Sequence, residues 1–438
     1  MISFASARYA LAALSLSCLL LALGCDGARE DAAVDDAATI EPGEEWYRPG
    51  GRWHHTAGAL LTDEQAEEIA RLRSIGYLAG SQQPPESTGV TVYRPDLAYD
   101  GLNFYTSGHL AGAILMDMEG NVLHQWAYDF IDAWKSGPRE ELPKRAKGAG
   151  FWRRAHLFEN GDVLAIYDGL GLVKVDRNSR LIWAYLEGAH HDLDVLPDGT
   201  IYVLIREAHI NPSVNAEAPV LEDYIAVLSP RGEELRRIAL LDAFRTPKYG
   251  AYLETMKSSG DIFHTNTIEI LDGTLDGKVA GFEEGNVLVC VRELDVAAVV
   301  DEESGKVVWA AKAPWSKPHQ TTVLPNGNMM IFDNRGYGGA SRVVEFDPAT
   351  LQMVWDYHGD PATDFYSKEC GSNQRLPNGN TLITESDAGR AFSVTPHGEI
   401  AWEYVNPAHA GESNEYIASI FDMVRLESDF PLGWLEDE

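Results

Sequence analysis

Three histidines hold matching places in the chain. His191 stands in "HHDLDVLPDGTIYVL", His264 in "FHTNTIEILDG" and His319 in "PHQTTVLPNGNMMIFDN", each eight or nine residues before a turn glycine (Gly199, Gly273, Gly327). An imidazole can act as nucleophile, acid or base near neutral pH. "NVLVCVRELD" adds Arg292, expected on the strand that leaves the His264 hairpin, and Asn266 follows His264 by two residues, the spacing that shares a strand face. "RRAHLFENG" offers Arg153 or His156 as a further equivalent. Taken singly, each histidine is a common hydrogen-bonding residue, and Arg292 has Glu293 and Asp295 close by as ordinary partners. Taken together, imidazoles and a guanidinium in a chain of net charge -32 point to a site for a small anion. No tight ligand pair such as H-x-x-x-H is present, so the expectation is no metal and no external cofactor.

The elements that must position these residues are hairpins. Pro-Asn-Gly at 325–327 and 377–379 and Pro-Asp-Gly at 197–199 set the dihedrals of a tight turn, and each leads into an apolar run such as "NMMIF" or "NTLIT". A second mark recurs: "NVLHQW", "SRLIW", "GKVVW", "LQMVW" and "GEIAW" end at Trp126, Trp183, Trp309, Trp355 and Trp402. The long gap between Trp183 and Trp309 hides one more unit, filled by "GEELRRIAL" without its tryptophan. Six strand-rich units of this length predict an all-β fold, a six-bladed β-propeller over residues 91–438. The first unit lacks leading strands while "EYIASIFDMVRL" has strands to spare, so the ring should close by pairing the N- and C-terminal strands. Histidines at the starts of inner strands then converge on one mouth of the channel.

Ahead of the ring, residues 1–24 read as a lipoprotein-type signal: Arg8, an apolar run to Leu23, then Gly24 before Cys25, the expected lipid anchor. Eight acidic residues against one arginine between Asp26 and Glu45 suit a disordered tether over 25–60. Thr62 and Gln65 form a capping box for a short helix with Ala66, Ile69 and Leu72 on its apolar stripe, within a 61–90 helix-and-linker segment. The expected setting is the bacterial periplasm or cell envelope, with the membrane reached through lipid. Nucleic acid is not an expected partner, because phosphate binding needs a basic stripe. Cys290 and Cys370 are left as a possible pair or as two buried thiols.

With these motifs in order, "HDLDVLPDG", "FHTN", "VLVCVREL", "PHQTTVLPNGNMMIFDN" and "NQRLPNGNTLITESDAGRAFSVTPHGEIAWEY", the chain resembles the bacterial arylsulfotransferases over about residues 90 to 426. The resemblance implies a propeller enzyme that moves a sulfuryl group from a phenolic sulfate donor to a phenol acceptor without a nucleotide. It implies that His319 becomes transiently sulfated, that His264 and Arg292 assist the chemistry, and that Asn266, His191 and Asn334 contact substrate. The family's late site lysine has no close counterpart; Lys368 is the nearest candidate. The close cysteine pair that enterobacterial members place before the nucleophile is absent. A non-catalytic ligand- or protein-binding propeller lipoprotein, or an aryl sulfatase in which water replaces the phenol, are the competing readings.

Overall fold

Most strands are apolar on both faces because each sheet is packed between two others. In the computed structural model, which describes residues 46–47, 54–55, 61–74, 77–135, 147–361 and 364–435, six sheets, antiparallel but for Gly260–Asp261 beside Val220–Leu228 in the third, form a six-bladed β-propeller. Blades two to five are consecutive hairpins with innermost strands Arg154–Leu157, Ala189–Val195, Thr265–Ile270 and His319–Val323; the sixth begins at Ser372–Arg375. The first blade takes its innermost strand, Ile420–Leu426, from the C-terminal end of the fold, beside Leu102–Ser107. Gly89–Tyr93 adds a fifth, outer strand to the last blade. The ring is thus closed twice, at an inner edge and at an outer one, as the surplus of C-terminal strand sequence implied.

Hydrophobic clusters fill the interfaces between blades. Phe104 and Trp126 of blade one meet Val163 and Val173 of blade two, and Tyr105 and Ile114 meet Leu382 and Trp402 across the closure. The repeated tryptophan lies on the fourth strand of its blade, and in three cases its indole bonds to the next blade. Trp126 Nε1 donates to Gly161 O at 2.9 Å, Trp402 Nε1 to Met118 O at 2.9 Å, and Trp355 Nε1 to Pro396 O at 3.0 Å. Each has a satisfied N–H, and Trp126 and Trp402 are also fully buried, where an aromatic of this size is commonly worth about 3–5 kcal/mol on truncation to alanine, while Trp355 is half-buried. The turn glycines Gly199, Gly327 and Gly379 sit at φ 86°, 87° and 87°, where a side chain would be strained.

The helix Asp63–Arg73 carries the expected capping box, with Thr62 and Gln65 bonded reciprocally. Ile69 and Leu72 are buried against Ala208 and Leu221 of blade three, while Ala66 is exposed and leaves the stripe narrower than expected. The signal, Cys25 and most of the tether lie outside the described residues; inside the tether stretch, Trp46–Tyr47 pairs antiparallel with His54–His55. No helix among the described residues is long and apolar enough to cross a membrane. Cys290 and Cys370 are separate buried thiols.

Candidate active site at the channel mouth

The inner strands all run in the same direction, so their first residues meet at one mouth. In three adjacent blades that start is bent out of regular β geometry. His191 and His264 have φ of 55° and 52°, and Gln320, next to His319, has φ of 40°. The ladder register breaks at the same places, between Ala189 and Leu193, Thr265 and Thr267, and His319 and Thr322. Left-handed backbone is costly for non-glycine residues and persists where the surroundings impose it. Here the extra residue turns the side chain out of the strict alternation that a flat strand would give. That also removes the simple two-residue spacing by which Asn266 was expected to share a face with His264.

His319 is buried and its tautomer follows from its neighbours. Asn334 Nδ2 donates to Ser367 O and Cys370 O, both at 2.7 Å, so its carbonyl faces the ring and accepts from His319 Nδ1–H at 2.8 Å. Nδ1 therefore carries the proton and Nε2 presents a lone pair. Nε2 is buried with no hydrogen-bond partner among the described residues. Burial first, then the charges of Arg292, His264 and Arg153, push this imidazole well below its ordinary pKa, so the ring is neutral at pH 7. Asn334, whose amide is fully engaged, serves the ring; Asn266 Nδ2 donates to Pro318 O at 2.8 Å and fixes the backbone just before His319.

Arg292 lies one residue beyond its strand, in the turn Arg292–Leu294. Its guanidinium is bonded to Glu293, the ordinary partner foreseen from the sequence, and to Glu369 at 2.6 Å. Its Nε, like Arg153 Nε, is buried without a partner. Two N–H donors and one imidazole lone pair are thus left unanswered in the mouth, where buried polar groups are normally paired. Lys368 is exposed and sits on Glu369 at 3.2 Å, the same carboxylate that holds Arg292 from its other oxygen.

His191 and His264 face each other with ring centroids 4.7 Å apart. Behind His264, Nδ1 lies 2.5 Å from Asp261 Oδ2. Burial acts to raise the Asp261 carboxyl, but the charge and hydrogen bond of His264 outweigh it and hold the acid ionised. Behind His191, Nδ1 lies 2.6 Å from His190 Nδ1. Burial, then the neighbouring His264 and His190, push His191 well down, so it is a neutral base. Tyr77 completes the cluster from the segment after the N-terminal helix: its hydroxyl is 2.6 Å from His191 Nε2 and 2.9 Å from His264 Nε2.

Further along the channel the character changes. Arg154 crosses the axis, bonded to Asp192 at 2.9 Å, Asp422 at 2.6 Å and the Gln320 side chain. Beyond it a cavity of about 380 Å³ is lined by His156, Asp194 and Glu269 among others. Of the two alternatives in "RRAHLFENG", Arg153 therefore belongs to the mouth and His156 to the channel below. No group of three or more His, Cys, Asp or Glu side chains among the described residues is arranged to hold a metal ion.

Sequence reasoning missed Tyr77, Asp261 and His190. Asp261, three residues before His264, and His190, adjacent to His191, were both visible as potential second partners for an imidazole. Tyr77 carried no local signal, because its partners are 114 and 187 residues away.

No curated protein matches the sequence significantly. Among solved structures, a protein of unknown function from Bacteroides caccae superposes with a TM-score of 0.46 at 13% identity, covering 74% of this chain and 98% of its own. A streptogramin B lyase superposes at 0.42 with 11% identity, covering 81% and 96%. BamB from Moraxella catarrhalis does so at 0.34 with 13% identity, covering 76% and 77%. The family description arylsulfotransferase (ASST) matches residues 154–407, a span that contains His191, His264, Asn266, Arg292, His319 and Asn334. More than half of the chain, including every histidine of the mouth, therefore falls within that match, and the protein belongs to the arylsulfotransferase family.

Proposed function

We propose that the protein transfers a sulfuryl group from a phenolic sulfate ester to a phenol through a covalent intermediate on His319. The observation that carries this reading is His319 itself: a neutral, buried imidazole whose Nδ1–H is held by Asn334 and whose Nε2 is unpartnered. Nε2 attacks sulfur, the S–O bond to the aryl group breaks, and the phenolate takes a proton from His264 Nε2, with the Asp261 carboxylate behind His264 Nδ1. Arg292 and Arg153 offer their free Nε–H donors to the sulfuryl oxygens. Fixed donors of this kind stabilise developing charge by about 3–4 kcal/mol each. An acceptor phenol then gives its proton to His191 and takes the sulfuryl group, restoring His319, and return of that proton from His191 to the facing His264 resets the acid and the base. The first phenol leaves before the second reacts, so the kinetics are ping-pong.

Brief mixing with 4-nitrophenyl sulfate followed by intact and peptide mass spectrometry tests the intermediate. A sulfuryl adduct on His319 is expected; steady phenol exchange with His319 never modified would point to direct transfer instead. The site is expected to face the cell envelope, with Cys25 as lipid anchor, and loss of membrane partitioning in Cys25→Ala checks that placement.

A further inference from the structure

A phenol already sits in the site. The Tyr77 hydroxyl has one proton to give and two imidazole nitrogens within hydrogen-bond reach, at 2.6 Å and 2.9 Å. His264, backed by the Asp261 carboxylate, is the member that donates; His191, neutral, is the member that accepts. An acid and a base thus share one phenolic oxygen, which is what both half-reactions require of a substrate phenol. The ring is seated as well: the Arg153 guanidinium lies 5.0 Å from its centroid and Phe421 stands at 6.4 Å, edge to face.

The placement is built into the chain. Ala79 O accepts from Ser419 N at 2.8 Å and Gln82 O from Ile417 N at 2.9 Å, pinning the segment to the stretch that leads into the ring-closing strand Ile420–Leu426. A side chain at Gly108 would come within 2.0 Å of Ala79 O, so the segment needs a glycine beneath it. Other buried tyrosines spend their hydroxyls elsewhere, Tyr105 on Tyr404 and Tyr185 on Glu234.

We propose that Tyr77 occupies the phenol seat and is an internal sulfuryl acceptor, becoming O-sulfated from sulfated His319 when no external phenol displaces it. The inference rests on the transfer reading above. In the step, the bond between His319 Nε2 and sulfur breaks, its electron pair returning to Nε2, and the bond between Tyr77 Oη and sulfur forms. The phenolic proton passes to His191 Nε2. The product is a tyrosine sulfate monoester beside the Arg153 and Arg292 charges. An incoming phenol competes for the same acid and base.

The full-length protein is incubated with 4-nitrophenyl sulfate and no acceptor, and nitrophenolate release and sulfated peptides are measured for wild type and Tyr77→Phe. Wild type should release two equivalents per chain, one slowly, and yield a sulfated Tyr77 peptide that survives conditions hydrolysing sulfohistidine. Tyr77→Phe should release one, and saturating phenol should suppress Tyr77 sulfation in wild type. An unmodified Tyr77 beside a sulfated His319 overturns the inference and leaves the transfer reading standing. An unmodified Tyr77 with no His319 adduct and no nitrophenolate release removes both.

Discussion

The two ends of the channel are made from the same six inner strands yet are chemically opposite. At the mouth, the first residues of the strands present His191, His264, His319 and Arg153, with Arg292 beside them. A few residues further along, the same strands present Asp192, Asp194, Glu269 and Asp422. The carboxylates there have structural work. Asp192 accepts from Ile268 N at 3.1 Å and Asp194 from Ile270 N at 2.8 Å, each across to the next blade, and Glu269 accepts from Val323 N at 3.0 Å. An inner strand is an edge with unpaired N–H groups, and these acids answer them. The difference teaches that net charge says little about local charge: in a strongly acidic protein the bent strand starts gather imidazole and guanidinium groups, while the carboxylates further along are tied to strand edges.

The sharpest way to break this contrast is His319→Ala. It should still fold, at a cost of about 1–3 kcal/mol because Asn334 Oδ1 is left unanswered in a buried site, form no adduct and lose phenol exchange by about 10³-fold or more. The wild-type kcat/KM should also keep its plateau below about pH 6, because burial and nearby cations hold His319 neutral there. Retained exchange in the alanine variant would make the mouth a shaping element only.

Arg292→Ala comes next, with an expected fall in kcat of about 10²–10³ for a donor lost from the sulfuryl oxygens. Residual transfer and a detectable His319 adduct should remain, since Arg292 does not carry the group. A change confined to KM would mean that its pairs with Glu293 and Glu369 leave it only a binding role.

The smallest effect belongs to the other end. Burial is the main cause pushing the Glu269 carboxyl up to about 7. The folded state therefore holds a proton that the unfolded state releases from about pH 4.5 upward, and stability falls as pH rises toward 7 and levels off above it. Glu269→Gln keeps an acceptor for Val323 N–H and should stabilise the protein by about 1–3 kcal/mol at pH 8, the range allowing for partial exposure to the channel, with no gain at pH 4. Urea unfolding at the two values measures this, and kcat should stay within about threefold. A large loss of activity would mean that the acidic end takes part in the chemistry.

How far the sequence carried the fold follows from where its signals are local. The Pro-Asn-Gly and Pro-Asp-Gly turns and the tryptophans are local devices, and they recur in enough of the blades to set the period, three for the turns and five for the tryptophans. The three histidines were legible for the same reason: they recur at one place in the hairpin. What stayed hidden is non-local or irregular. The left-handed residues His191 and His264 carry no glycine to announce them. Arg292 was placed on its strand but sits in the turn after it, paired as its neighbours suggested. Asn334 was read as a substrate contact from the family motif, and its engagement with two carbonyls and the His319 ring depends on a loop more than thirty residues away. Tyr77, from the stretch read only as helix and linker, reaches the site because its segment is pinned to residues 417–419, more than three hundred positions away.

Arg154 has a consequence for assembly. Its guanidinium is tied to Asp192, Asp422 and the Gln320 side chain, which come from three other blades. One cation therefore rivets four of the six blades at the hub, and the inner strands that carry the mouth residues are braced against one another directly beneath them.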